Sequence, residues 1–362
     1  MLQAKLLFDR PEPVNYITDG ALVIFDGLLN RPYGHSRNTK SWRDLSGRGF
    51  HGTIRTLDQE HFWTSNGLRN SVGYIEGKGL CMTTSCETLA KTFEITLSDP
   101  VGLSGNANFN PMNFGNGGVL QTLDTAYMFG SGSHQVRWRY NNANQTAYFG
   151  WHDITPITWT SLAASVTVSE NAVKLATYVN GVLSKQQDIT LDGPEYAGFK
   201  LTTLLGYGYD AFTGTVHALR AYDRPLTAVE VWNNYFEDTL RFRGNLFLVS
   251  SPQIMNAYIK ADGTVAAAAT NRMVYINCKP STTYTILRRI SNGVSMHAGC
   301  CSEPPEYGTQ TSGRQATEME NALRLTITSG PQDNYLMVRI WADVAALTLE
   351  QTFDTISIYE GE

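Results

Sequence analysis

Five apolar residues run without a break from Ala21 to Phe25 and stop at Asp26-Gly27. A short apolar run bounded by turn residues predicts a buried strand. The pattern then loosens into polar turns at Asn30-Arg31-Pro32. Trp42-Arg43-Asp44-Leu45-Ser46-Gly47 and Gly49-Phe50-His51-Gly52-Thr53-Ile54 follow, a glycine-studded stretch with one Trp and small polar groups. Farther on, Gln135 to Tyr140 alternates apolar and basic residues, which predicts a half-exposed strand. Asn141 to Asn144 makes the turn and Thr146 to Trp151 returns. Asn106 to Gly118, rich in Asn, Gly, Phe and Pro, reads as a long loop over one rim. Ser161–Val168, Val173–Val179, Lys200–Gly206 and Thr213–Tyr222 read as further strands. Asn180-Gly181, between two β-type runs, predicts a hairpin, because a type I′ turn needs positive φ at both central residues.

One helical pattern interrupts the strands, near 227–239. Asp223-Arg224-Pro225-Leu226 turns into it, Thr227 is its N-cap, and Glu230 completes a capping box. Val231, Trp232, Tyr235 and Phe236 recur at helical spacing, a stripe expected to be buried. Leu240 to Gly244 reads as a linker. Beyond it a second series of strands begins at Asn245-Leu246-Phe247 and includes Ala257–Ile259, Met273–Cys278 and Tyr284–Leu287. Leu323–Ile327, Tyr335–Trp341 and Thr355–Tyr359 continue it, with turns at Asp262-Gly263-Thr264 and Lys279-Pro280-Ser281-Thr282. The expected fold class is therefore all-β, two β-sandwiches in series over residues 16–240 and 245–362. Residues 1–15 form an N-terminal arm, because the prolines of Arg10-Pro11-Glu12-Pro13 enforce an extended path. That arm is an edge strand, a loose extension, or an anchor to a larger assembly. No internal repeat and no heptads occur.

The 362 residues suit two domains. A net charge of −5 argues against nonspecific nucleic-acid binding, which needs a basic surface. No Lys/Arg block reads as a membrane patch, and no apolar run is long enough to span a bilayer. Met1 to Pro11 has no long apolar run or small-residue cleavage site, so no secretory signal is expected. Cys81, Cys86, Cys278, Cys300 and Cys301 show no Cys-x-x-Cys spacing. They read as free thiols of a reducing cytoplasm rather than as a zinc site or disulfide framework. The seven His are scattered, and there is no Gly-x-Ser-x-Gly, His-Glu-x-x-His or phosphate-cradling loop.

Three ordered motifs resemble the concanavalin A-like, laminin-G-like jelly-roll domains of bacteriophage virion proteins. They are the Gly20–Ile54 opening, the Tyr-Val-Asn-Gly hairpin at 178–181, and the closing strand with Arg224-Pro225-Leu226-Thr227 and its helix. The likeness covers roughly the first two thirds of the chain. The second unit is similar to the small carbohydrate-binding-like sandwiches that end many phage tail and fibre proteins. Its Asn-Leu-Phe start, the run from Val274 to Ile286, and the Ile356-Ser357-Ile358-Tyr359-Glu360-Gly361 close carry that likeness.

The resemblance implies a noncatalytic virion protein, a tail or head fibre or adhesin, made in the host cytoplasm and displayed on the particle. Its partners would be host-surface glycans, other virion proteins and further copies of itself, with no nucleic acid and no membrane insertion. One alternative is a structural capsid decoration or head-fibre protein that mainly contacts other virion proteins. Another is a polysaccharide hydrolase. The glucanases of this fold carry Glu-x-Asp-x-x-Glu on one strand, and no such pattern exists here. Glu303-Pro304-Pro305-Glu306 is barred from a central strand by its prolines, and Glu318-Met319-Glu320 sits in loop-like sequence.

Sugar binding requires exposed aromatic faces with polar groups beside them. Trp138, Tyr140, Tyr148 and Trp151 share one predicted hairpin, where Trp138 and Tyr140 lie on one face and Arg137 and Arg139 on the other. In the second unit Tyr335, Arg339 and Trp341 share a strand face. No cofactor is expected apart from calcium, which some laminin-G-like domains hold at a rim. Asp26, Asp44 and Asp210 are the candidate ligands by their place in loops, and each serves equally well as a turn cap.

Overall fold

The computed structural model describes residues 15–30, 33–36, 38–55, 57–58, 61–71, 82–98, 107–109, 122–130, 133–141, 146–153, 159–169, 172–189, 198–199, 201–205, 214–243, 253–269, 271–289, 296–316, 323–340 and 356–361, and gives only the backbone in the four segments between 107 and 153. The expected N-terminal arm falls outside these residues except for its last. The described residues divide into two compact units, Tyr16–Tyr235 and one from Phe236 onward. Both are built of strands, so the all-β expectation holds.

In the first unit the largest sheet has eight strands. Seven follow one another in the order Val182–Ile189, Ala172–Val179, Trp159–Ser169, Thr92–Ser98, Gly214–Tyr222, Leu68–Asn70 and His61–Trp63, and Ala21–Asp26 pairs with Gly214–Tyr222. Ala21–Asp26 is buried at every position, as its unbroken apolar run requires. A small sheet of Ser41–Trp42, Gly52–Ile54, Met82–Thr83 and Thr203–Leu204 faces the large one. Trp42, Ile54, Met82 and Leu204 meet Phe25, Phe93, Ile95, Leu97, Leu162 and Leu219 in one core. A third sheet contains Ala107–Phe109, Thr122–Gly130, Ser133–Asn141 and Thr146–Asp153. Residues 107–109, expected in a loop, are thus a strand, because they pair with the far end of Thr122–Gly130. The strand expected over 200–206 shrinks to Thr203–Leu204.

Alternation along Thr92–Ser98 sends Phe93, Ile95 and Leu97 into this core and Thr92, Glu94 and Thr96 to the opposite face. That opposite face is also closed to solvent, Glu94 being 1% exposed. Asn234 of the helix Ala228–Phe242 lies on it and bonds Glu94. The helix begins with the anticipated capping box. The Glu230 N–H donates to the Thr227 hydroxyl at 3.3 Å, and the Thr227 N–H donates to the Glu230 carboxylate at 2.8 Å. The last residues expected in a linker, Leu240 to Phe242, are instead the final turn of this helix.

Arg224 grips the same carboxylate with two N–H groups, at 3.1 and 2.6 Å. That grip, with the Thr227 bonds, holds the Glu230 carboxyl at about 2, well below its ordinary 4.5. A depressed folded-state value stabilises fully above the unfolded one and loses that contribution as pH falls. The stability difference between the native chain and Glu230→Gln is therefore expected to be constant above about pH 4.5 and to vanish as pH falls towards 2. Urea unfolding across that range checks it.

Asn180 (φ 50°) and Gly181 (φ 74°) form the expected left-handed pair at the hairpin turn. The helix packs on this turn. A Cβ on Gly181 would lie 2.8 Å from Tyr235 Cδ1 and 2.9 Å from Trp232 Cε3, inside two ring systems. Gly181→Ala is expected to cost about 1–3 kcal/mol, since strain at positive φ and overpacking act together. A denaturant midpoint shift reports it.

In the second unit a five-stranded sheet runs Gln253–Met255, Arg272–Asn277, Tyr335–Ile340, His297–Cys301, Gly313–Ala316. It packs on a three-stranded sheet of Arg324–Thr328, Thr283–Arg288 and Ile356–Glu360 through Val274, Ile276, Ile286, Leu336, Val338 and Ile358. The hairpin of Ala257–Ile259 and Val265–Ala267 covers the other face of the five-stranded sheet, where Ile259 and Val265 meet Met273 and Met337. Cys86, Cys278, Cys300 and Cys301 carry free thiols. Burial pushes the Cys301 thiol up to about 11, and contact with Cys278 together with burial raises Cys300 further. Cys300 and Cys301 are therefore protonated packing residues at neutral pH. Cys81 lies outside the described residues.

Candidate functional site

Trp138 and Tyr140 stand two residues apart on one strand of a hairpin whose other strand carries Trp151. Trp138 pairs with Thr125 on one side and Phe149 on the other, and Tyr140 with Leu123 and Ala147. Trp151 falls where the register of that hairpin shifts, a bulge between the pairs Val136–His152 and Trp138–Phe149. Bulges re-aim the strand they interrupt. The side chains of these three residues lie outside the description. Trp341 and Asp210 also lie outside the described residues.

The expectation of an exposed Arg339 is corrected. Tyr335 and Arg339 do share a face of their strand with Met337, but that is the face covered by the 257–267 hairpin. Arg339 is 8% exposed and Met337 fully buried, while Tyr335 is half-buried with its ring edge-on to Tyr275 at 6.3 Å. Alternation assigns the face correctly and cannot reveal what lies over it.

Asp26 and Asp44 are turn caps. Asp26 Oδ1 accepts the N–H groups of Leu28 and Leu29 at 2.8 and 3.1 Å, and its Oδ2 accepts the Tyr16 hydroxyl at 3.1 Å. Asp44 Oδ1 accepts N–H from Ile24 and Ser46, and Oδ2 accepts the Ser46 hydroxyl and the Phe50 N–H. A cation needs oxygens that face it with lone pairs. Here every carboxylate oxygen of the two residues accepts at least one hydrogen bond from a neighbouring N–H or O–H group, as the turn-cap alternative implies. Among the described residues no three His, Cys, Asp or Glu gather as a metal would require.

What the first unit does present is the outward face of its small sheet. Residues 41–44 alternate half-buried and buried, and 51–55 alternate exposed and buried. The inward set, Trp42, Ile54 and Met82, enters the core. The outward set begins with a cross-strand row of hydroxyl residues in which Ser41 pairs with Thr53 and Thr53 with Thr83. Neighbouring strands stand about 4.8 Å apart. One residue beyond the Trp42–Gly52 pair, Arg43 and His51 extend the same outward face. The Tyr33 ring, 41% exposed, meets the His51 ring edge-on, with centroids 5.8 Å apart and planes at 72°.

Several hydrogen bonds tie this corner together. Buried Asn30 donates to the carbonyls of Gly34 and Ser41 and accepts the Arg43 N–H at 2.7 Å. The Thr39 hydroxyl donates to the Tyr33 carbonyl, and Trp63 Nε1 donates to the Thr39 carbonyl at 2.7 Å. His51 Nδ1 accepts the Asp44 N–H at 3.1 Å. That bond requires the neutral tautomer with its proton on Nε2, which leaves Nε2–H as a donor. The arrangement combines an exposed aromatic ring, a fixed ring donor and a row of hydroxyls on one surface. Such a surface can take the C–H face of a pyranose and hydrogen-bond its hydroxyls. The sequence reading misses it, because strands of two and three residues are too short for their alternation to stand out.

The strongest buried charges are structural. Glu94 Oε2 accepts Arg220 Nε at 2.7 Å and Asn234 Nδ2 at 2.8 Å, and Asn234 also donates to the Tyr222 hydroxyl. The Arg220 guanidinium lies 4.4 Å over the Tyr16 ring. In the second unit Glu237 pairs with Arg289 at 2.7 Å. Glu303 and Glu306 are exposed in a loop, as their prolines predict.

Comparison with known proteins gives a partial match to one family model. Residues 83–232 match the model described as the Concanavalin A-like lectin/glucanases superfamily. No curated protein matches the sequence. Among solved structures, a Trypanosoma rangeli sialidase is 16% identical over 65% of this chain and 36% of its own length, with a TM-score of 0.39. The present chain thus spans little more than a third of that sialidase. The botulinum neurotoxin type G receptor binding domain is 14% identical over 95% of this chain and 98% of its own, with a TM-score of 0.44. Domain 4 of a GH43 extracellular arabinanase from Geobacillus stearothermophilus, in complex with arabinotriose, is 16% identical over 59% of this chain and 98% of its own, with a TM-score of 0.38. The match to that superfamily model spans residues 83–232, less than half of the chain, and lies within the first unit.

Proposed function

We propose that this chain is a noncatalytic bacteriophage virion protein, a fibre or adhesin that binds host-surface carbohydrate. It is made in the host cytoplasm and displayed on the particle in several copies, where multivalency turns weak single-site binding into useful avidity. The observation that carries the binding part is the superfamily match over residues 83–232. The outward-facing surface around Tyr33 and His51 supports it with an exposed ring beside polar groups suited to sugar. A retaining glycosidase needs two carboxyl groups about 5 Å apart. The buried carboxylates described above are each engaged by an arginine or by N–H and O–H donors, which favours gripping over cutting. The virion assignment rests on the motif resemblance.

A microarray of bacterial surface glycans probed with the full chain, together with antibody labelling of phage particles, tests both parts. The expected result is selective glycan retention by a chain that is also found on particles. Particle labelling with no glycan retained would make it a capsid decoration protein. Retention without particle labelling would remove the phage assignment.

A further inference from the structure

Ser41, Thr53 and Thr83 stand opposite one another on three successive strands of the small sheet. Trp42, Ile54 and Met82 beside them enter the core, so alternation turns the three hydroxyl residues outward. Thr53 and Thr83 are exposed and Ser41 is half-buried. None of the three hydroxyls is engaged by another group of the described residues. Each is therefore free to donate one hydrogen bond and to accept others. His51 lies two residues before Thr53, about 7 Å away at the rise of an extended chain. Asn30 Nδ2 donates to the carbonyls of Gly34 and Ser41 at 2.8 and 2.9 Å. These bonds tie the turn carrying Tyr33 to Ser41–Trp42, the end strand of this sheet among the described residues. An exposed aromatic ring thus stands beside the end strand, and a row of free hydroxyls leads away from it across the next two.

We infer that this face binds the interior of a neutral polysaccharide with an extended backbone, laid across the strands from Tyr33 towards Thr83. The inference rests on the glycan-binding reading and names its site and ligand class. A sheet face covers a ligand from one side only, whereas a site for a chain end or a single sugar encloses most of it. The row therefore suits sugars that have neighbours at both ends. Neighbouring strands are about 4.8 Å apart, close to the length that one equatorially linked pyranose adds to its chain. Successive sugars of a β-1,4-linked backbone can thus keep step with Ser41, Thr53 and Thr83, while a 1,6-linked chain coils out of step. Tyr33 takes the C–H face of the first sugar, and His51 Nε2–H donates to one of its oxygens. Every group named is uncharged, His51 included, because its Nδ1 accepts the Asp44 N–H at 3.1 Å and so carries no proton. Recognition by these groups selects the placement of hydroxyls rather than charge, and added salt should leave it unchanged.

Frontal affinity chromatography of the full chain on columns carrying β-1,4-linked glucomannan or α-1,6-linked dextran decides it. Glucomannan is expected to retain the protein equally at about 0.05 and 0.5 M salt, where the screening length differs about threefold, and dextran to let it pass. Free cellotetraose should compete and glucose should not. Tyr33→Ala, at an exposed position, is expected to weaken retention by about tenfold or more, the effect of removing an aromatic anchor. Thr53→Val keeps the side-chain shape and the strand preference and removes one hydroxyl. A loss of about threefold is expected from it, and a larger one when Thr83→Val is added. The unfolding midpoint of each variant should match that of the native chain. Equal retention by dextran, competition by glucose, or retention that salt abolishes would overturn the inference. So would a glucomannan complex that Tyr33→Ala and Thr53→Val both leave intact. Passage through the glucomannan column would overturn it as well, and a glycan hit on the microarray would then spare the broader binding function. No retention on either the column or the array would remove both.

Discussion

Glu94→Ala is expected to destabilise the first unit by about 3–5 kcal/mol, the range for stripping one partner from a buried ion pair. Glu94 and Arg220 are 1% and 0% exposed, and their bond is 2.7 Å long. Alanine would leave the guanidinium in a solvent-excluded layer without its carboxylate. It would also remove the acceptor of Asn234 Nδ2, the helix residue that ties this layer together. The cost arises from the uncompensated charge more than from the lost attraction. A double replacement, Glu94→Leu with Arg220→Met, is therefore expected to recover most of the stability, since buried pairs are often replaceable by apolar groups of similar volume. Urea unfolding of the single and double variants measures both. A loss below about 1 kcal/mol for the single change, typical of an exposed pair, would mean that solvent reaches Arg220.

Trp42→Ala is expected to cost about 3–5 kcal/mol, as for other large aromatic truncations in a core. Trp42 is fully buried, its ring centroid 5.6 Å from that of Phe25 and 5.2 Å from that of Trp63. Its Nε1–H donates to the Asp26 carbonyl at 3.2 Å, at the end of the first strand. Trp42 also supports the proposed glycan face from beneath, because Ser41 and Arg43 on either side of it point outward. Trp42→Phe keeps most of the volume and loses the hydrogen bond. It should cost less than Trp42→Ala while leaving that bond's carbonyl acceptor unmet. Thermal unfolding by circular dichroism orders the two variants. Equal losses would assign the stability to the indole N–H rather than to packing.

Features set by neighbours along the chain are legible in the residues themselves. The Thr227–Glu230 box, the Asn180-Gly181 turn and the Ala21–Phe25 strand each depend on a few consecutive residues, and each forms as read. Features set by what covers a surface are not legible in that way. Alternation assigns Arg339 to the right strand face, yet the short hairpin that buries it gives no sign of where it will dock. Glu94 alternates with Phe93 and Ile95 as a solvent-facing residue would, and only the helix that comes 134 residues after it, beginning at Ala228, turns that face into an interior. The start of the linker expected at Leu240 to Gly244 is helical for a related reason. Leu240, 5% exposed, and Phe242, 9% exposed, extend the buried face of the helix. The proposed glycan face is hidden from a sequence reading because its residues belong to strands two and three residues long, too short for alternation to register.

The central claim is that the chain grips polysaccharide without cleaving it. Incubating the full chain with β-1,4-linked glucomannan, and then measuring both the bound fraction by co-sedimentation and the new reducing ends, tests it most directly. The account predicts saturable co-sedimentation, lost in Tyr33→Ala, with no reducing ends above the protein-free control. Reducing ends that accumulate with time, or polymer that stays in solution at every protein concentration, would contradict it.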